Sequence, residues 1–173
     1  MKIISTTDLK NIPEVLRAPA QPVSDVAEVA ALFDEFIQTL HDTGGLGLAA
    51  PQVGISKRFI AIHNEPEGEK DKSPKIPLTF LINPEIVKIS EKALQWEEGC
   101  LSLPGYVGTV IRAESLKVQG LNRFGKKVTV KASGLYACVL QHEIDHLDGV
   151  LFTDKAENVH LGQPDKEKRA HVE

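Results

Sequence analysis

Apolar residues recur at helical spacing through Val26, Val29, Ala30, Phe33, Phe36, Ile37 and Leu40, and a stripe of that width predicts an amphipathic helix near the N-terminus. Ser24 stands at the cap position, Asp25 and Glu28 fall in the first turn, and Gly44-Gly45 supply a stop. About four turns are expected. A second helical pattern starts at Ser133, places Leu135, Cys138, Val139 and His142 on one side, and ends near Asp148 against Gly149.

Between these helices lie short β-rich runs at 58–63, 78–83, 85–89, 107–111, 115–120 and 127–131, divided by turn residues. Asn122-Arg123-Phe124-Gly125 reads as the turn of a hairpin joining the last two. Residues 64–77 are crowded with charge and proline, the mark of a mobile surface loop, and 155–173 form a polar tail expected to fray. The pattern therefore predicts one α+β domain spanning 1–173. Small antiparallel sheets are expected to pack around a central helix, the second one, with the other helix N-terminal to them.

Composition narrows the classes of partner. With 173 residues, 42% of them hydrophobic, the chain can bury a core of ordinary size. A formal charge of -4 gives no overall attraction for nucleic acid or anionic lipid. The longest apolar runs, 46–51 and 59–62, fall far short of the ~20 residues of a membrane span. No signal-peptide core stands at the start, so the cytoplasm is expected, and a processed organellar form would read the same. Two cysteines, Cys100 and Cys138, make no disulfide framework.

Chemistry concentrates in the second helix. His142-Glu143-Ile144-Asp145-His146 stacks two imidazoles on one face, which suits two nitrogens on one metal ion. Glu143 projects from the same end and is placed as general base toward water rather than as a ligand. A third ligand must come from elsewhere. Spacing of the metzincin kind would put it at Phe152, which has no donor, and a downstream carboxylate would be Glu167, in a charged tail without an apolar face. Cys100, within Glu98-Gly99-Cys100-Leu101-Ser102, offers a thiolate suited to a borderline divalent ion. Cys138, one turn before His142, reads as a small residue of core or pocket. His41 reads as a solvated helix-end residue, and His63, His160 and His171 have no ligand spacing.

Three separated segments, Gly45-Leu46-Gly47-Leu48-Ala49-Ala50-Pro51-Gln52, Glu98-Gly99-Cys100-Leu101-Ser102 and Gln141-His142-Glu143-Ile144-Asp145-His146-Leu147, resemble in order the signature motifs of peptide deformylases. The resemblance runs from about Leu16-Arg17 to Phe152. It implies a hydrolase that removes the N-formyl group from the first methionine of new polypeptides and releases formate. It assigns one ion per chain to Cys100, His142 and His146, natively Fe(II), with Zn(II), Ni(II) or Co(II) as substitutes. Glu143 would be the general base, and Gln52 with the Leu101 backbone N–H would hold the oxyanion. Leu46, Gly47 and Gly99 would pair with the substrate main chain. Leu46, Leu101, Cys138, Val139 and His142, with Tyr106 beside them, would line the methionine pocket. Trp96 would edge the groove or fill the core, Glu98 and Arg112 would brace the Cys100 loop, and Asp145 would orient a neighbour or face water. Nascent N-formylmethionyl chains, met in transient association with ribosomes, are the implied partners; neither nucleic acid nor membrane is.

Two other classes share parts of this pattern. A zinc peptidase would keep His-Glu-x-x-His but take a third ligand other than Cys100. A metal-stabilised binding module would need neither Glu143 nor Gln52.

Overall fold

The computed structural model describes residues 1–66, 73–162 and 169–171. Antiparallel pairing organises them into two sheets. The first has five strands, β1 (Gly47–Ala49), β2 (Phe59–Asn64), β3 (Ile76–Ile89), β6 (Ser115–Leu121) and β7 (Lys127–Ser133), in the order β1-β2-β3-β6-β7. The second has four, β4 (Ala93–Cys100), β5 (Leu103–Ala113), β8 (Glu157–Leu161) and β9 (Arg169–His171), in the order β8-β5-β4-β9. Two helices, α1 (Phe33–Thr43) and α2 (Leu135–Leu147), complete the α+β fold. Among the described residues no helix is long and apolar enough to cross a membrane.

α1 begins later than its apolar stripe predicts. Residues 26–32 form two 3-10 turns, Val26–Glu28 and Ala30–Leu32, and Asp25 rather than Ser24 caps the first. Asp25 accepts from the Ala27 N–H while Glu28 reaches back to the Asp25 N–H, a reciprocal cap that fixes a tight turn. Val29, at φ -120°, then breaks the helical path. The stripe is buried all the same: Phe33 and Phe36 pack against Phe59 and Phe80, with the Phe36 and Phe59 ring centroids 4.9 Å apart at 69°. Gly44, at φ +64°, ends the helix in the left-handed conformation that glycine adopts most easily.

The runs at 78–83 and 85–89 are one strand, β3, with a register shift between Ile82 and Glu85. Asn83 sits in that irregularity at φ +49°, and its side-chain amide both donates to the Val23 carbonyl and accepts from the Val23 N–H. The bulge thus docks the segment that leads into α1. Asn122 holds the β6–β7 hairpin, its Oδ1 accepting from the Phe124 and Lys126 N–H groups. At the predicted loop 64–77, Asn64 and Ser73 are buried and joined at 2.9 Å; residues 67–72 lie outside the described residues. The tail expected to fray supplies β8, which pairs with β5. Residues 163–168 and 172–173, Glu167 among them, also lie outside the described residues.

α2 is buried on nearly every side, Leu135, Ala137, Leu140, Ile144 and Leu147 included, as expected of a helix enclosed by protein rather than laid on a surface. It packs against β1, β2, β3 and β7 of one sheet and β5 of the other. Ser133 belongs to β7, and Gly134, at φ +58°, makes the turn into the helix. At the far end the Leu147 carbonyl accepts from the Ala20 N–H, and Gly149, at φ +73°, lies flat against the Arg17 backbone. A Cβ at Gly149 would overlap the Arg17 carbonyl. Gly149→Ala is therefore expected to cost about 1–3 kcal/mol through clash and left-handed strain. A urea melt should show a lower midpoint at unchanged slope; an unaltered midpoint would contradict this packing.

Candidate active site

α2 carries His142 and His146 one turn apart, with ring centroids 4.9 Å apart and planes at 78°. β4 ends at Cys100 and brings its sulfur to 3.2 Å from His146 Nε2. One donor atom each from Cys100, His142 and His146 lies within 4.8 Å of the others. The three side chains come from a strand end and a helix, so the sheet and the core packing of α2 set their separation.

Burial would raise the Cys100 thiol, but the charges and hydrogen bonds of His146 and His142 outweigh it and hold the sulfur well below the usual thiol range. Burial would likewise lower His142, and its bonds to Cys100 and Glu98 keep it well above the usual imidazole range. The lowered thiol favours the thiolate form that a metal ligand requires.

Behind the histidines runs a chain of charges. His142 Nδ1 lies 2.9 Å from Glu98 Oε2, and Arg112 grips Glu98 through Nε at 2.7 Å and Nη2 at 2.9 Å. Arg112 Nη1 reaches Asp145 at 2.5 Å, and Lys155 reaches the same carboxylate at 2.7 Å. Burial alone would raise the Glu98 carboxyl; the hydrogen bonds from Arg112 and His142 hold it well below the carboxylate range. Glu98 stays charged and accepts from His142 Nδ1, which leaves Nε2 of that ring for the centre of the site. Asp145, inside the helical motif, ties the arginine back to α2.

Glu143 is 3% exposed, and burial pushes its carboxyl up to about 7. Among the described residues its Oε2 has no hydrogen-bond partner. A carboxyl near neutrality with a free oxygen is suited to take up and return a proton. Gly47 makes room for it, since a Cβ there would overlap Glu143 Oε1. Gln52, 1% exposed, spends its Oε1 on the Ala49 N–H at 2.8 Å, so its Nε2 is turned toward Cys100 Sγ at 3.6 Å and Ser102 Oγ at 3.4 Å. Its orientation is set by backbone.

These groups open on a groove of about 460 Å³. The predicted residues Leu46, Gly47, Gln52, Gly99, Cys100, Leu101, Cys138, Val139, His142 and Glu143 line it, as do Trp96 and Tyr106; His146, 1% exposed, lies behind the surface. Glu98 and Arg112, expected to brace the Cys100 loop, form a buried ion pair. Sequence reasoning missed Leu135, Pro104, Gly105 and Gly162, which also line the groove. Leu135 followed from its place one turn before Cys138 and Val139. Gly162 gave no signal, because β8 carries it there. His41 is an exposed residue in the last turn of α1, as expected, and its Nε2 stands 3.1 Å from His63 Nδ1.

The sequence profile of polypeptide deformylase matches residues 5–161. The chain belongs to that family. A peptide deformylase of Symbiobacterium thermophilum is 45% identical over 166 residues, covering 95% of this chain and 73% of its own. That of Halothermothrix orenii is 47% identical over 150 residues, covering 86% and 90%. The structure of a class I type b peptide deformylase from Acinetobacter baumannii, with Met-Ala-Ser bound, superposes with a TM-score of 0.80 at 34% identity, covering 90% of this chain and 97% of that one.

A deformylase requires a catalytic metal ion, and the residues present fit one. A thiolate and two imidazoles converge, a combination that selects borderline ions over Mg(II) or Ca(II). His142 has the carboxylate partner that orients a ligand imidazole. Arg112→Met would strand Glu98 as a buried, half-paired charge. The expected cost is about 3–5 kcal/mol of stability, with metal affinity lower by roughly 10–100-fold as His142 loses its support. Denaturant melts and metal titration check both, and a variant unchanged in either would contradict the role given to the ion pair.

Proposed function

We propose that Cys100, His142, His146, Glu143, Gln52 and Leu101 carry out removal of the N-formyl group from formylmethionyl polypeptides. Membership of the deformylase family gives the reaction; the roles of the residues are our reading. Its main support is the convergence of one thiolate and two imidazoles beside a buried carboxyl that has an oxygen to spare.

Cys100, His142 and His146 would hold the ion, which we take to be Fe(II) natively. When bound, the ion supplies Lewis acidity that makes water a nucleophile at neutral pH. Glu143 takes the proton from the attacking water and returns it to the nitrogen as the C–N bond breaks, leaving formate and a free amine. Gln52 Nε2 and the Leu101 N–H donate to the formyl oxygen as negative charge develops there. Because Ala49 fixes the Gln52 amide, that donor needs no reorganisation at the moment of reaction. Leu46, Gly47 and Gly99 pair with the substrate backbone, which reads no side chains beyond the first. Leu46, Leu101, Cys138, Val139 and His142 wall an apolar space for the methionine side chain. The substrate is a newly made chain, so the protein works in our reading in the cytoplasm, in transient contact with ribosomes.

A zinc peptidase or a non-catalytic module is not favoured by a family match of this extent. Formate released from a formyl-Met dipeptide under anaerobic, iron-loaded conditions is the expected result, and no release would overturn the proposal. Glu143→Ala is expected to keep its ion while turnover falls by at least roughly 10²–10⁴-fold; loss of the ion would make Glu143 a ligand instead. Gln52→Ala should cost on the order of 3 kcal/mol of transition-state stabilisation, about a hundredfold in turnover, with metal content intact. Near-normal turnover would remove Gln52 from the mechanism.

A further inference from the structure

His41 and His63 take no part in the groove chemistry, yet the fold places them face to face. They are 22 positions apart in sequence, one in the last turn of α1 and the other on β2. His41 Nε2 and His63 Nδ1 stand 3.1 Å apart, with ring centroids 5.0 Å apart and planes at 54°. The pair is open to solvent, and among the described residues neither ring makes another side-chain hydrogen bond.

We propose that His41 and His63 form a second metal site, for a divalent ion of the Zn(II), Ni(II), Co(II) or Cu(II) class, with solvent completing the shell. Two imidazoles bound to one zinc ion at about 2.0–2.1 Å, at a tetrahedral angle, hold their nitrogens about 3.3 Å apart. The observed gap is within a few tenths of an ångström of that. The centroid separation is also close to the 4.9 Å of His142 and His146, the pair in the catalytic cluster. Imidazole donors select borderline ions, which excludes Mg(II) and Ca(II) as occupants. Asp42, the neighbouring acid, is engaged by Gln38 at 2.7 Å and is not needed as a ligand.

The location gives the site a consequence. The His63 N–H donates to the Leu46 carbonyl, and the Gly44 N–H donates to the His41 carbonyl. Between these two bonds run Gly44, Gly45 and Leu46, all of which line the groove. An ion joining the two rings would clamp the end of α1 to β2 across that wall. An ion that binds only the folded chain stabilises it by RT ln(1 + [L]/Kd), which keeps growing as free ion is added.

The test is a Zn(II) titration of protein whose catalytic site is already loaded with Zn(II), followed by calorimetry, with thermal melts at each concentration. The parent should take up a second equivalent more weakly than the first, with a melting temperature that climbs as Zn(II) is added. Excess Mg(II) should not compete. In His41→Asn and in His63→Asn the second equivalent and the climb should vanish, while the first equivalent and formate release from a formyl-Met dipeptide stay unchanged. Uptake of a single equivalent by the parent would reduce the pair to a hydrogen bond between rings and overturn the proposal. So would a second equivalent that survives both substitutions. Neither result bears on the deformylase reading, which formate release tests separately.

Discussion

A buried carboxylate, Glu98, gripped on two sides by Arg112, is the interaction on which the site depends. Glu98 precedes Cys100 by two residues on β4, Arg112 lies on β5, and the pair is closed by His142 and Asp145 from α2. Removing two charges from water costs several kcal/mol each, recovered only with good geometry and further hydrogen bonds. Here Arg112 makes a fork to Glu98 and a third bond to Asp145, and Glu98 accepts from His142 as well. The arrangement ties the strand that supplies the thiolate to the helix that supplies the imidazoles, and it settles which nitrogen of His142 faces inward. Position and protonation are set by the same contact.

Around that anchor, close backbone approach does the remaining work. Gly47 lets β1 lie directly over Glu143, so the carboxyl is shut off from bulk water yet keeps an oxygen without a partner. The same enclosure raises its pKa toward neutrality. Gly45 lies close to Leu101, where a Cβ would come within 2.9 Å of Leu101 Cδ1. The Ile4 and Thr6 N–H groups donate to the Gln52 and Ser102 carbonyls, so the N-terminal residues hold the glycine segment and the cysteine loop together.

What could be read from sequence was what is local. The spacing of His142 and His146 is a property of one helix, and so is the place of Glu143 between them. The end of α1 at Gly44 was legible for the same reason. β4 was not, because its inward row, Leu94, Trp96 and Glu98, alternates with period two but contains a carboxylate and no β-branched residue. The charge that hid the strand is the charge the site needs. β8 was hidden by having polar residues on both faces, since it covers the edge of β5 rather than a core. Residues 26–32 carry a helical stripe but fold as tight turns, because the Asp25–Glu28 cap and the backbone at Val29 compete with the helix. Contacts that join distant segments, Glu98 with Arg112 and His41 with His63, leave no trace in spacing.

In our proposal one sulfur and two ring nitrogens surround the catalytic ion. X-ray absorption at the metal edge of zinc-loaded protein measures this directly. The expected shell around the zinc has one sulfur at about 2.3 Å and two imidazole nitrogens at about 2.0–2.1 Å. A shell of nitrogen and oxygen alone, with Cys100 left free to react with a thiol reagent, would contradict it.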